Sequence, residues 1–360
     1  MASKSTNLLF LYKITPETLK KFEENCVYFK KPELVAYYDY LDGFIVKASS
    51  IKYLKHPDTL SYPMDLNKGF HEYTMPKTVS LSRQIKPSLI YYDSLSDDLD
   101  DTKNMRKTKV ITRRGTLVRL METHYNNVIT DLTIRVTRYN GNLYMILDQK
   151  ELSDSELNPV HTHHKHLERF IFSDAPDIPP ILYEPIDENF YQIGVHRSSF
   201  GKYDIIYSGE MQGIISNEEI EDFDARTLND CRFVFTKQMW WSYKDQDTKY
   251  LRIWLQSYLA NVQDLYIGYK NRHGIIEKPI EHNKAKDLPK DRFWKPVICT
   301  GFLHEFLENV EKCMSSVNCL NTVYEFHYDQ EEKSFSYEIF NGKSDKSFII
   351  DNDVQIFFLK

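Results

Sequence analysis

The stretch TKYLRIWLQSYLANVQDLYIGYK, Thr248 to Lys270, constrains the fold more than any other in the chain. Leu251, Trp254, Leu255, Tyr258, Leu259 and Val262 recur at three-and-four spacing, which lays one apolar stripe along a helix. DLYIGYK follows with no linker and reads as a strand. A helix that leads straight into a strand belongs to an α/β or α+β fold. Gln256 lies off the stripe, so core packing does not account for it.

Other segments agree. DLTIRVTRYNGNLYMIL, Asp131 to Leu147, is a hairpin signal, two β-rich runs joined by Asn140-Gly141. NFYQIGVH, YDIIYSGEMQGII, CRFVFTK, TVYEFHYD and SFSYEIF read as further strands. TPETLKKFEENC, with Thr15 as cap and Pro16 next, predicts a helix, as do TLVRLMETHY and the amphipathic ICTGFLHEFLENVEKCM. Lys31 to Tyr73 reads as irregular chain with short strands. HTHHKH, His161 to His166, reads as a loop, because zinc ligands are more often gathered from separated, fixed positions. The acids of NEEIEDFDA and the opposed runs DSLSDDLDD and KNMRKTK read as solvated loops. No repeat or low-complexity break divides the chain, so one domain over residues 1–360 is expected, with a flexible tail over 1–6.

Composition narrows the function classes. Aromatic residues make up 14% of a chain that is only 41% apolar, so rings supply much of the burial. Glycine is scarce and no GxGxxG or GxxxxGK[ST] occurs, which excludes a glycine-rich nucleotide cradle. A net charge of −6 argues against wholesale polyanion binding and leaves room for a local basic surface. Five cysteines without a CxxC pair, and no signal peptide, read as reduced thiols of a protein that is not secreted. No apolar run approaches membrane-spanning length, and no membrane partner is expected.

FVFTK, Phe233 to Lys237, sets a puzzle. Phe233, Phe235 and Lys237 share one strand face, and by itself that reads as a lysine snorkelling from a strand end.

VITRRGTLVRL, DLTIRVTRYNGNLYMI, FYQIGVHRS, SGEMQG, FVFTKQ and LRIWLQSYLANVQDLYIGYKN, with MDLNKGFHEY upstream, resemble in order the DXO-type decapping exoribonucleases. They resemble most the fungal branch that partners the nuclear 5′→3′ exoribonuclease, over Pro32 to Ile339. The resemblance implies an α+β fold of two mixed sheets surrounded by helices, like a PD-(D/E)xK nuclease core. It also implies one divalent-metal site, Mg²⁺ or Mn²⁺, acting on RNA 5′ ends, and residence in the nucleus, with the cytoplasm as the alternative.

Carried over by position, the family's arginine falls on Arg114, its helix glutamine on Gln256, and the lysine of its glutamate-x-lysine pair on Lys237. The glutamate of that pair becomes Phe235. The glutamate-x-aspartate pair becomes Glu210 and Gln212, and the motif of glycine, three residues and glutamate, set on Gly194 to Ser198, ends on Ser198. In this register Glu210 alone remains of four carboxylates, too few for Mg²⁺ or Mn²⁺. Metal is therefore expected to be absent or weakly bound. The pocket carries about +1, where the intact motif would carry about −2 before metal. The expectation is a weak or non-catalytic protein that binds RNA 5′ ends or the exoribonuclease partner. The alternatives are an active decapping hydrolase with a rebuilt site, and a scaffold that keeps only the fold.

Overall fold

The computed structural model describes residues 8–75, 77, 79–95, 107–126, 132–148, 158–182, 185–241 and 246–349. β1 (Leu9–Lys13) and α1 (Pro16–Glu24) open the chain, followed by β2 (Glu33–Leu41), β3 (Phe44–Lys47), β4 (Tyr53–Leu54) and β5 (Met64–Asp65). Next come α2 (Leu81–Ser94), β6 (Lys109–Arg113), α3 (Arg114–Glu122), β7 (Leu132–Tyr139) and β8 (Asn142–Leu147). α4 (Pro159–Ile171), β9 (Phe172–Ser173), β10 (Phe190–Phe200), β11 (Tyr203–Met211) and β12 (Gly213–Ile215) form the middle. α5 (Ala225–Asp230), β13 (Arg232–Trp240), α6 (Asp247–Leu259), β14 (Asp264–Lys270), β15 (Ile275–Ile276) and β16 (Glu281–Lys284) follow. α7 (Pro296–Cys313), β17 (Cys319–Asp329) and β18 (Ser334–Phe340) close the described chain.

Two mixed sheets result, as the resemblance implied. The larger has the order β1-β18-β17-β7-β8-β6-β11-β10-β2-β3, with β6 parallel to both neighbours. The smaller has the order β5-β15-β14-β13-β12-β4-β9, with β16 on β14. A single run of chain serves both: β11 ends in the larger sheet at Met211, and β12 begins in the smaller at Gly213. Gln212 is the joint between them.

The Thr248–Lys270 segment folds as its periodicity demands. β13 and β14 are parallel, and parallel neighbours need a crossover, which α6 supplies. Leu251, Trp254, Leu255, Leu259 and Val262 are buried, and Trp254 packs on Trp294 with ring centroids 5.5 Å apart. Tyr258 is half-buried, its hydroxyl accepting from the Phe29 amide at 3.0 Å. In the β7–β8 hairpin Asn140 and Gly141 take φ of 50° and 77°, the positive pair that a tight primed turn requires.

Two expectations change, and one helix, α2, appears where none was expected. Lys31 to Tyr73 contains β2, a nine-residue strand paired on both sides. α2 carries Pro87 inside it, which disguises it as loop in the sequence. The histidine run is helical: Asn158 caps α4, accepting from the Val160 amide at 3.0 Å, and Pro159 occupies the first turn. The acids Glu218, Glu219, Glu221 and Asp222 are exposed, as expected. Most of KNMRKTK and DSLSDDLDD, and the tail 1–6, lie outside the described residues.

Candidate functional site

Of the FVFTK face, Phe235 is buried, while Phe233 and Lys237 are half-buried. Phe235 on β13 is 1% exposed, with the Arg114 guanidinium carbon 5.0 Å from its ring centroid and Lys237 Nζ at 5.1 Å. The ring presents its negative π face to two cations. Lys237 is therefore not a snorkelling lysine. Burial pushes its ammonium down to about 8, Arg114 adds repulsion, and Glu168 and Glu210 pull partly the other way.

Arg114 begins α3, and its guanidinium donates to the Glu210 carbonyl at 2.5 Å and points at Met211 Sδ at 3.8 Å. It lies flat over Gly209, where a Cβ would come within 2.7 Å of it, so only glycine permits this approach. Burial lowers its pKa to about 10, against the attraction of Glu210. The guanidinium is committed to the β11 backbone rather than turned outward.

In front of this layer lies a cleft of about 210 Å³, lined in part by Lys165, Glu168, Glu210 and Gln212. Glu210 leaves the end of β11 and pairs with Lys165 of α4. The same ammonium holds Glu168 Oε2 at 3.1 Å, one helical turn away. Burial raises the pKa of Glu210, but the Lys165 charge and hydrogen bond outweigh it, so the net shift is downward. Gln212 ties the groups together. Its Oε1 accepts from the Thr236 amide at 2.6 Å and its Nε2 donates to Glu168 Oε1 at 2.5 Å. An aspartate could accept from Thr236 but could not donate to Glu168.

Arg114, Glu210, Gln212, Phe235 and Lys237 thus gather in one place. Ser198 does not join them. In the β10–β11 register Ser198 faces Ile205 while Glu210 faces Ile193, a displacement of roughly 17 Å along the strand. Its hydroxyl donates to the Lys30 carbonyl at 2.5 Å, a structural bond. Gln256 is half-buried on α6 and takes part in none of the polar contacts described above. Sequence reasoning missed Lys165 and Glu168, because the HTHHKH segment read as a loop. Asn158-Pro159 was the available signal for a helix start, with Thr162, His166, Leu167 and Ile171 as its buried face. His163 is kept neutral, its pKa lowered to about 4 by burial and by Lys270, whose ammonium donates to Nδ1 at 2.7 Å.

The metal implied by the resemblance can be tested against these donors. Hard cations take six or more oxygens. Here Glu168 and Glu210 share an ammonium, Gln212 turns its carbonyl to Thr236, and a phenyl ring fills the place of a further acid. Among the described residues no group of three or more His, Cys, Asp or Glu is placed to hold a metal ion. The residues present do not fit a divalent ion.

Comparison with known proteins gives the fold and the family. The Decapping and exoribonuclease protein Rai1 of Drosophila melanogaster is 23% identical over 320 residues, covering 83% of this chain and 84% of its own. The fold matches Candida albicans Rai1, solved with pU5 and Mn²⁺, at a TM-score of 0.70 and 15% identity, over 97% of this chain and 96% of that one. It also matches Scheffersomyces stipitis Rai1, solved with (3′-NADP)⁺ and calcium, at 0.69 and 14% identity, over 91% and 95%. Residues 30–354 match the family described as RAI1 like PD-(D/E)XK nuclease, and the chain belongs to that family of decapping exoribonucleases.

Proposed function

We propose that this protein binds RNA 5′ ends and hydrolyses them weakly or not at all. The observation that carries this reading is Phe235, buried between Arg114 and Lys237 where the family motif calls for a carboxylate. A second point concerns register. The motif of glycine, three residues and glutamate fits His164 to Glu168 better than Gly194 to Ser198, because Glu168 stands beside Glu210 and Ser198 does not. Two carboxylates are then kept of four. Arg114, Lys165 and Lys237 outnumber them, which favours an anionic phosphate over a metal ion. The pU5 bound by Candida albicans Rai1 supports an RNA end as the occupant of the matching cleft.

The reading extends to a nuclear 5′→3′ exoribonuclease as partner and to the nucleus as compartment, both supported by the family resemblance. A pull-down against that exoribonuclease tests the first, and fluorescence imaging of the tagged chain the second. The adjacent Glu168 and Glu210 favour a second reading, a residual hydrolase.

Triphosphate, monophosphate, hydroxyl and non-canonically capped RNA, incubated with pure protein with and without Mg²⁺ or Mn²⁺, separate the two. The first reading expects binding that prefers a 5′ phosphate over a hydroxyl, with no metal-stimulated product. Metal-stimulated hydrolysis that disappears in Glu210→Ala would establish the second.

A further inference from the structure

Missing acids alone leave Lys165 unexplained. It enters the cleft from α4, and its ammonium lies against one oxygen of Glu168 and one of Glu210. The helix register sets this up, since Lys165 and Glu168 leave the same face one turn apart, while Glu210 meets them from β11. Lys165 and Glu168 are only 13% and 16% exposed and Glu210 is 37% exposed, so the ammonium and one of its two carboxylates are poorly hydrated. Two carboxylates in such a place repel each other and need a cation between them. In a metal enzyme that cation arrives from solution. Here the chain itself carries it.

The remaining contacts fix the geometry. Glu168 has both oxygens engaged, one by Lys165 and one by the Gln212 amide. An incoming divalent ion must displace an ammonium that is always present at high effective concentration. It must also approach Arg114 and Lys237, whose charges repel it.

We propose that the Lys165 ammonium is a tethered cation, seated between Glu168 and Glu210 where a divalent ion would bind, and that it bars metal independently of the acids missing at 212 and 235. The proposal rests on the non-catalytic reading and deepens it.

Mn²⁺ binding, followed by the electron paramagnetic resonance of the free ion, tests it without any turnover. The variants are Lys165→Met, Lys165→Arg, the double Gln212→Asp/Phe235→Glu, and that double combined with Lys165→Met. Removing the ammonium from the double variant should tighten Mn²⁺ by about tenfold or more. Equal affinity with and without Lys165 overturns the proposal.

Neutral replacements leave two glutamates facing each other and lower the melting temperature. Mn²⁺ should raise it again in Lys165→Met and leave Lys165→Arg unmoved. A destabilised Lys165→Met that ignores Mn²⁺ also overturns the proposal. Mn²⁺-dependent hydrolysis of RNA by the wild type would instead overturn the non-catalytic reading.

Discussion

Two clusters on adjoining strands of the smaller sheet treat basic side chains in opposite ways. Val234 pairs with Asp264 and Phe235 with Leu265, so Asp264 and Phe235 sit one position apart in the ladder. Asp264 is 1% exposed and gathers Arg232 at 2.6 Å, His282 at 2.6 Å and Lys284 at 2.5 Å. Burial works to raise its pKa, but hydrogen bonds from Arg232, Lys284 and His282 overcome it and hold the carboxyl well below the ordinary range. Phe235 gathers Arg114 and Lys237 with a ring alone, and Lys237 falls to about 8. The first cluster has its counter-ion, a buried carboxylate beneath three basic side chains that reach solvent. The second has an apolar ring at its centre, and the Glu168 and Glu210 carboxylates answer its two charges only from beyond that ring.

Breaking the ring should have the largest effect. Phe235→Ala opens a void and removes the π face, and is expected to cost about 3–5 kcal/mol in urea unfolding. Phe235→Leu refills most of the volume without a π face and should cost about 1 kcal/mol, so a Leu variant as stable as wild type would remove the cation–π contribution from the comparison.

Asp264→Asn should cost about 2 kcal/mol at neutral pH, since Arg232 and Lys284 can return to water. Its pKa is lowered on folding, so the stabilisation is complete above the ordinary value of 3.8 and is lost as the pH falls below it. Urea midpoints taken down to acid pH should therefore fall less steeply in Asp264→Asn than in wild type.

Lys237→Met should have the smallest net effect, because the relieved burial of its charge is offset by the lost attraction to Phe235, Glu168 and Glu210, and its signature is a pH slope. Its folded pKa, about 8, lies below the ordinary 10.5, so the burden of burying its charge is full below 8 and absent above 10.5. Stability should rise between pH 7 and 10 through this group. Lys249 and Lys270 shift in the same direction, so the measurement is the difference in slope between wild type and Lys237→Met.

Elements whose apolar residues sit on the right period could be read directly. The α6–β14 unit and the β7–β8 hairpin are of this kind, and so is the convergence of Arg114, Glu210, Gln212, Phe235 and Lys237, which depends on motif order alone. Lys165 and Glu168 were hidden for a physical reason. Their helix buries His163 and His166, neutral in the folded protein, and such polar-looking residues mask the apolar stripe that normally announces a helix. Ser198 was misplaced because Gly194 offered the motif's first residue, while the true neighbour of Glu210 follows a histidine at that position. Only the strand register separates the two choices.

Gln212 carries a consequence for how such a site can change. Replaced by aspartate alone, it leaves Glu168 without a donor and adds a third carboxylate to a crowded pair. Glutamate alone at 235 empties an apolar slot and leaves a polar group where a ring was packed. Each single step is unfavourable although the two together begin to assemble a ligand set. In sequence space this site and a metal-binding one are therefore separate peaks. A lineage at one is held there by the valley between them.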